Sequence, residues 1–159
     1  MTAQSEASRS AYFKKEASQC NNDAWTLIEQ PSLEPDDIVR LVTLAATARH
    51  YWHAEGTANN VAHADLLFAW ALARAGASAA SNVLADSVLS FFTEEGEAWE
   101  LAFAQAAKAA ACAANGDSDG HKIHYAKAEE VGGRLAGPDA QYFSAAFKTV
   151  PRPDADLTD

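Results

Sequence analysis

Apolar positions recur at three- and four-residue spacing along most of the chain. Ile38, Leu41, Val42, Ala45, Ala48 and Trp52 follow the i, i+3, i+4, i+7 rule. They predict an amphipathic helix of about five turns at about 3.6 residues per turn, with Asp36 or Asp37 giving it an acidic first turn behind Pro35. From Val61 to Ala75, Leu66, Leu67, Phe68, Trp70 and Leu72 lie nearly all round the wheel, which predicts a central helix covered on several sides. Ser78 is the expected N-cap of a helix through Val83, Leu84, Val88, Leu89, Phe91 and Phe92. Trp99, Phe103, Ala106, Ala107 and Ala110 begin another, so rich in alanine up to Ala114 that a neighbour can pack close against its backbone. Ser118 or Asp119 is expected to cap the next, with His124, Ala128, Val131 and Leu135 on one face. Phe143, Ala146, Phe147 and Val150 form the last stripe behind Pro138. Tyr12, Phe13 and Cys20 are separated from Trp25, Leu27 and Ile28 by Asn21-Asn22-Asp23, and one long helix or two short ones both satisfy that stretch. No segment alternates with the period of a strand.

Breakers separate these stripes: Pro31 and Pro35, Gly56, Gly76, Gly96, Gly116, Gly137-Pro138, then Pro151 and Pro153. Glycine past a helix end and proline beside a helix start are the punctuation of successive helices. The pattern predicts an all-α fold of tandem antiparallel helical hairpins, with about six to seven helices. Residues 1–150 form one domain in this reading, 1–8 are expected to be flexible, and 151–159 form an acidic flexible tail.

A shift of forty residues superposes Gly76 on Gly116, Ala69 on Ala109, Ala73 on Ala113, Ser78 on Ser118, Val83 on Ile123 and Leu72 on Cys112, which implies two helix-turn-helix units of similar design. Gly116-Asp117, Tyr125, Lys127 and Ala128, with Ala109 at the small position of the first helix, resemble the turn and second helix of a tetratricopeptide repeat. Gly76 and Ala69 resemble the same landmarks one unit earlier. The aromatic early in the first helix is offset, and no closing proline follows Phe92. A longer set of residues, from Arg49-His50-Tyr51-Trp52 through Glu55-Gly56-Thr57, Asp65 to Gly76, Trp99 and Leu101-Ala102-Phe103 to Thr149-Val150-Pro151, resembles small uncharacterised bacterial proteins with tetratricopeptide-like helices. The resemblance implies a right-handed α-α superhelix. It implies no catalytic residues.

At 159 residues the chain is long enough to bury a core without metals or disulfides. A hydrophobic fraction of 48% with four Trp and seven Phe is that of a folded chain. The net charge of -10, with Lys14-Lys15 as the densest basic pair, repels phosphate backbones and anionic leaflets, so neither nucleic acid nor membrane is an expected partner. Cys20 and Cys112 belong to no C-x-x-C pair and are expected to be reduced thiols, Cys112 as inert packing. Met1 to Ser10 contains no apolar signal segment, which points to a cytoplasmic protein.

Histidine offers the sharpest chemical clue. His50 and His53 share a helix face, as do His121 and His124, and His63 lies near Asp65. No histidine follows a glutamate by three residues, and His-Glu-x-x-His is absent, so no metal or cofactor is expected. Asp65, on the most apolar helix, needs a partner, and Arg49 or His63 is the expected one. Trp25, Trp52, Trp70 and Trp99 are read as core aromatics before pocket walls. Glu94-Glu95, Glu97 and Glu129-Glu130 are solvated helix ends or an acidic surface for a basic partner. Nucleophile elbows and phosphate loops are missing, so nothing positively indicates an enzyme.

The expected function is therefore a non-catalytic protein or peptide interaction module, with Arg49, Trp52, Asp65 and Trp70 as a polar and aromatic cluster that serves interaction or structure. A homodimer through an apolar stripe on a terminal hairpin is a variant of that reading. The alternative is a small-molecule or metal-binding helical protein, or an enzyme, with His50, His53, His63 and Asp65 around a pocket walled by Trp52 and Trp70.

Overall fold

The computed structural model describes residues 2–153 and holds seven helices and no strand among them. They are α1 (Ala3–Ile28), α2 (Pro35–Glu55), α3 (Ala58–Arg74), α4 (Ser78–Glu95), α5 (Ala98–Ala114), α6 (Ser118–Gly132) and α7 (Gly137–Phe147). Each helix packs against its successor, giving the expected all-α stack of hairpins. The odd-numbered helices also touch in series, α1 on α3, α3 on α5 and α5 on α7, and so form one layer. The even-numbered helices form a second layer, each seated between two consecutive odd ones. None of the described helices is long and apolar enough to cross a membrane.

The period of forty is built into the turns. Helices α3 and α5 begin at Ala58 and Ala98, and α4 and α6 at Ser78 and Ser118, forty residues apart in each case. Gly76 and Gly116 take φ of 74° and 70° at the ends of α3 and α5, the left-handed region where a Cβ is strained. There the N–H of Ala77 bonds to Leu72 O at 2.9 Å and that of Asp117 to Cys112 O at 3.0 Å, so both turns are Schellman caps.

The layers pack closely because the core is built on alanine. In α5, seven alanines between Ala102 and Ala111 are buried, which lets α3, α4 and α6 approach its backbone as expected. Ser81 donates to Ala69 O at 2.7 Å and Asn82 to Ala111 O at 3.2 Å, so α4 is tied to both central helices. Trp70 of α3 is fully buried, with Trp25 edge-on at 5.7 Å and Phe103 at 6.2 Å between ring centroids. Its indole nitrogen has no hydrogen-bond partner among the described residues. Gly132 lies under the Phe143 ring so closely that a Cβ would overlap it, and the absent side chain is what lets α7 close onto α6.

The ends of several elements differ from the sequence reading. Residues 3–28 form one continuous helix, because Ala17, Ala24, Leu27 and Ile28 supply a buried face on both sides of the Asn21-Asn22-Asp23 stretch. Residues 3–8 form its first turns behind Thr2 as N-cap. Helix α4 is capped by Ala77 rather than Ser78. Asp117 rather than Ser118 or Asp119 caps α6, its carboxylate accepting the Gly120 N–H at 3.0 Å. In both cases the Schellman turn leaves no spare residue between the hairpin's helices. Of the acidic segment expected over 151–159, residues 154–159 lie outside the described residues.

Candidate binding groove

An open cavity of about 580 Å³ runs across the odd-numbered layer. Each of the four helices contributes to its wall, α1 through Trp25 and Glu29, α3 through His63 and Leu66, α5 through Trp99 and Phe103, and α7 through Asp139 and Tyr142. Trp25 and Trp99 both stand perpendicular to the Phe103 ring, with centroids at 5.5 and 6.2 Å. Trp99 also lies 5.3 Å from the His63 ring. Asn21 and Asn22 line the α1 side, each offering an amide donor and an acceptor. A smaller cavity of about 140 Å³, with Ser18, Trp52 and Asn60 in its wall, shares Asn21, Asn22 and His63 with the groove and extends it.

His63 is fixed by a carboxylate that the sequence reading did not single out. Its Nε2 stands 2.6 Å from Oε1 of Glu100, a residue only 4% exposed, so the imidazole donates to the carboxylate through Nε2 and leaves Nδ1 free of that bond. The same oxygen accepts from Asn59 at 3.3 Å, and Oε2 accepts the backbone N–H of Glu97 at 2.8 Å. Glu100 thus caps the N-terminus of α5 and orients His63 at once. The signal for it was the three-residue spacing from Glu97 and its place forty residues after Asn60, which closes the equivalent cap with Thr57 on α3.

Asp65 lies on a different face of α3. Its Oδ1 accepts from Arg49 Nε at 2.6 Å and stands 2.9 Å from His53 Nε2, while Arg49 also covers the Phe68 ring at 6.0 Å. Arg49 is the partner expected for Asp65, His53 adds to it, and His63 does not take part. His50 is exposed and packs edge-on to Tyr51. The four residues of the alternative site therefore do not meet at one point. Of its two tryptophan walls, Trp52 borders the small extension of the groove and Trp70 is sealed in the core. Among the described residues no group of three or more His, Cys, Asp or Glu stands in an arrangement that would hold a metal ion.

A second polar network joins α4, α5 and α6. Lys108 reaches Asp86 at 2.7 Å and Asn82 at 3.0 Å, and His124 Nδ1 stands 2.8 Å from Gln105 Oε1, a bond that needs the proton on Nδ1. Burial, then the nearby charges of Lys108 and Lys127, hold the His124 imidazolium below its ordinary range. Burial also pushes the Cys112 thiol up, as suits inert packing. Because His124 binds its proton more weakly in the fold than in the unfolded chain, its contribution is fully present above the unfolded value of 6.5 and is lost as pH falls through the lower folded value. Urea melts across this range should show stability falling below about pH 6.5. His124→Gln should flatten that dependence, and an unchanged slope would exclude His124 as its source.

Comparison with known proteins returns no match, whether to a protein-family model, a curated protein or a solved structure.

Proposed function

We propose that this protein is a non-catalytic scaffold of the tetratricopeptide-like kind, which takes a short segment of another protein in the groove across α1, α3, α5 and α7. The observation that carries this reading is the groove wall itself. Four helices distant in sequence each give it side chains, with aromatic rings from all four and the amides of Asn21 and Asn22 on the α1 side. Aromatic side chains supply large contact area at low entropic cost, and the amides match the donors and acceptors of a peptide backbone. The repeated helix-turn-helix units and their glycine caps support the tetratricopeptide likeness, although their forty-residue period is longer than the about 34 residues of that repeat, and a cytoplasmic setting in a bacterium belongs to the same proposal through that likeness. Association of two copies is a variant that needs no further chemistry.

The test is to pan a randomised dodecapeptide library on the purified protein. Retained peptides should lose binding to Trp99→Ala while binding Val83→Ala normally, since Val83 lies 70% exposed on α4 and takes no part in the groove. Peptides indifferent to Trp99→Ala would sink the proposal. One observation favours a second reading: the His63 imidazole, held by Glu100, faces the cavity as a polar group in a small-molecule site would. Native mass spectrometry separates the two readings, because a retained small ligand lost in His63→Ala would move the assignment to that class.

A further inference from the structure

The charge in the groove is one-sided. No Lys or Arg lines it, and the two outermost helices of the layer each place a carboxylate there, Glu29 from α1 and Asp139 from α7. Both are exposed, and neither has an ion-pair partner among the described residues. Asp139 has a local reason for its position, since it sits in the first turn of α7, where the helix dipole favours an anion. Glu29 has none. It is the C-cap of α1, the end at which the dipole disfavours an anion; the Arg74 guanidinium of α3 binds the flanking Ile28 and Gln30 carbonyls there but makes no ion pair with the Glu29 carboxylate. In the same lining Trp25 and Trp99 are each only partly buried, so the π-systems that attract a cation remain within reach of the groove.

We infer that the occupant of the groove is a basic segment of a partner protein, with an Arg or Lys side chain seated against Trp25 and Trp99 and its charge met by Glu29 and Asp139. This rests on the groove being the peptide site. Charge complementarity selects the occupant: an acidic segment would meet two uncompensated carboxylates and a chain of net charge -10, whereas a basic one neutralises them. Arg suits the site better than Lys, because its planar guanidinium can stack on an indole and bridge to a carboxylate together. Exposed carboxylates act weakly one at a time. Removing both should therefore weaken a basic peptide by about threefold to tenfold rather than abolish its binding.

The experiment uses the full chain and a randomised dodecapeptide library, with the retained peptides sequenced, fluorescein-labelled and titrated by anisotropy. The expected pool is enriched in Arg and Lys beside apolar residues. Its members bind about threefold to tenfold more weakly to the Glu29→Gln, Asp139→Asn double variant, and lose affinity between about 50 and about 500 mM salt less steeply on that variant than on the wild type. Glu29→Gln alone should weaken binding while leaving the melting temperature equal or slightly higher, a pairing that a merely structural glutamate would not show. A pool without basic enrichment that still loses binding to Trp99→Ala overturns the inference and leaves the groove reading standing. A pool indifferent to Trp99→Ala, or an empty pool, overturns both.

Discussion

Trp70→Ala should destabilise the protein by about 3 to 5 kcal/mol, the cost of emptying a fully buried large aromatic site. For a chain of this size that corresponds to a fall in melting temperature of roughly 10 °C or more, readable by circular dichroism. The effect is large because Trp70 joins the two central helices to the groove: Trp25 and Phe103, which line the cavity, both pack against it. The same site predicts a milder outcome for Trp70→Phe. The indole N–H is buried without a partner among the described residues, at a cost of about 1 to 3 kcal/mol. Replacing it with a phenyl ring relieves that cost while giving up some packing. A Phe variant as unstable as the Ala variant would show that the indole nitrogen is satisfied in solution and that packing alone accounts for the residue.

Trp99→Ala should weaken peptide binding by at least about thirtyfold, equivalent to about 2 kcal/mol, with a much smaller loss of stability than at Trp70. Binding hot spots are aromatic side chains at the centre of a contact surface. Trp99 is half-buried, stands perpendicular to Phe103, and lies against His63 in the middle of the odd-numbered layer. Its loss removes one wall of the groove and loosens the His63–Glu100 pair that forms the next. If affinity fell only in proportion to stability, Trp99 would be acting as a core residue and not as a contact.

The helices were legible in the sequence because their stripes repeat at 3.6-residue spacing and glycine or proline closes each one. The forty-residue shift even located the equivalent caps at Gly76 and Gly116. The N-caps fall one residue before the expected position at Ala77 and one or two before it at Asp117, because a Schellman turn and an N-cap share the same short linker and sequence alone does not apportion it. The Arg49–Asp65 pair was legible as a charge on an apolar helix in need of a partner. The groove was not. Its walls come from residues more than a hundred positions apart in the extreme case, Asn21 and Tyr142, and each is unremarkable within its own helix. His63 was paired with Asp65 on sequence proximity, yet two residues along a helix turn the side chains to different faces, and its partner is Glu100 on α5. Carrying the period one step further would have helped, since Asn59, Trp99 and Asp139 are spaced by forty and all belong to the first turns of odd-numbered helices.

On the proposed reading, a peptide binds across the odd-numbered layer. The most direct measurement is an amide and indole chemical-shift map of the ¹⁵N-labelled protein with a peptide retained in the panning. The largest shifts are predicted along the C-terminal half of α1 and the first turns of α3, α5 and α7, with the Trp25 and Trp99 indoles among them. Shifts gathered instead on the exposed side chains of the even-numbered layer, around Val39, Val83 and Ile123, would contradict it.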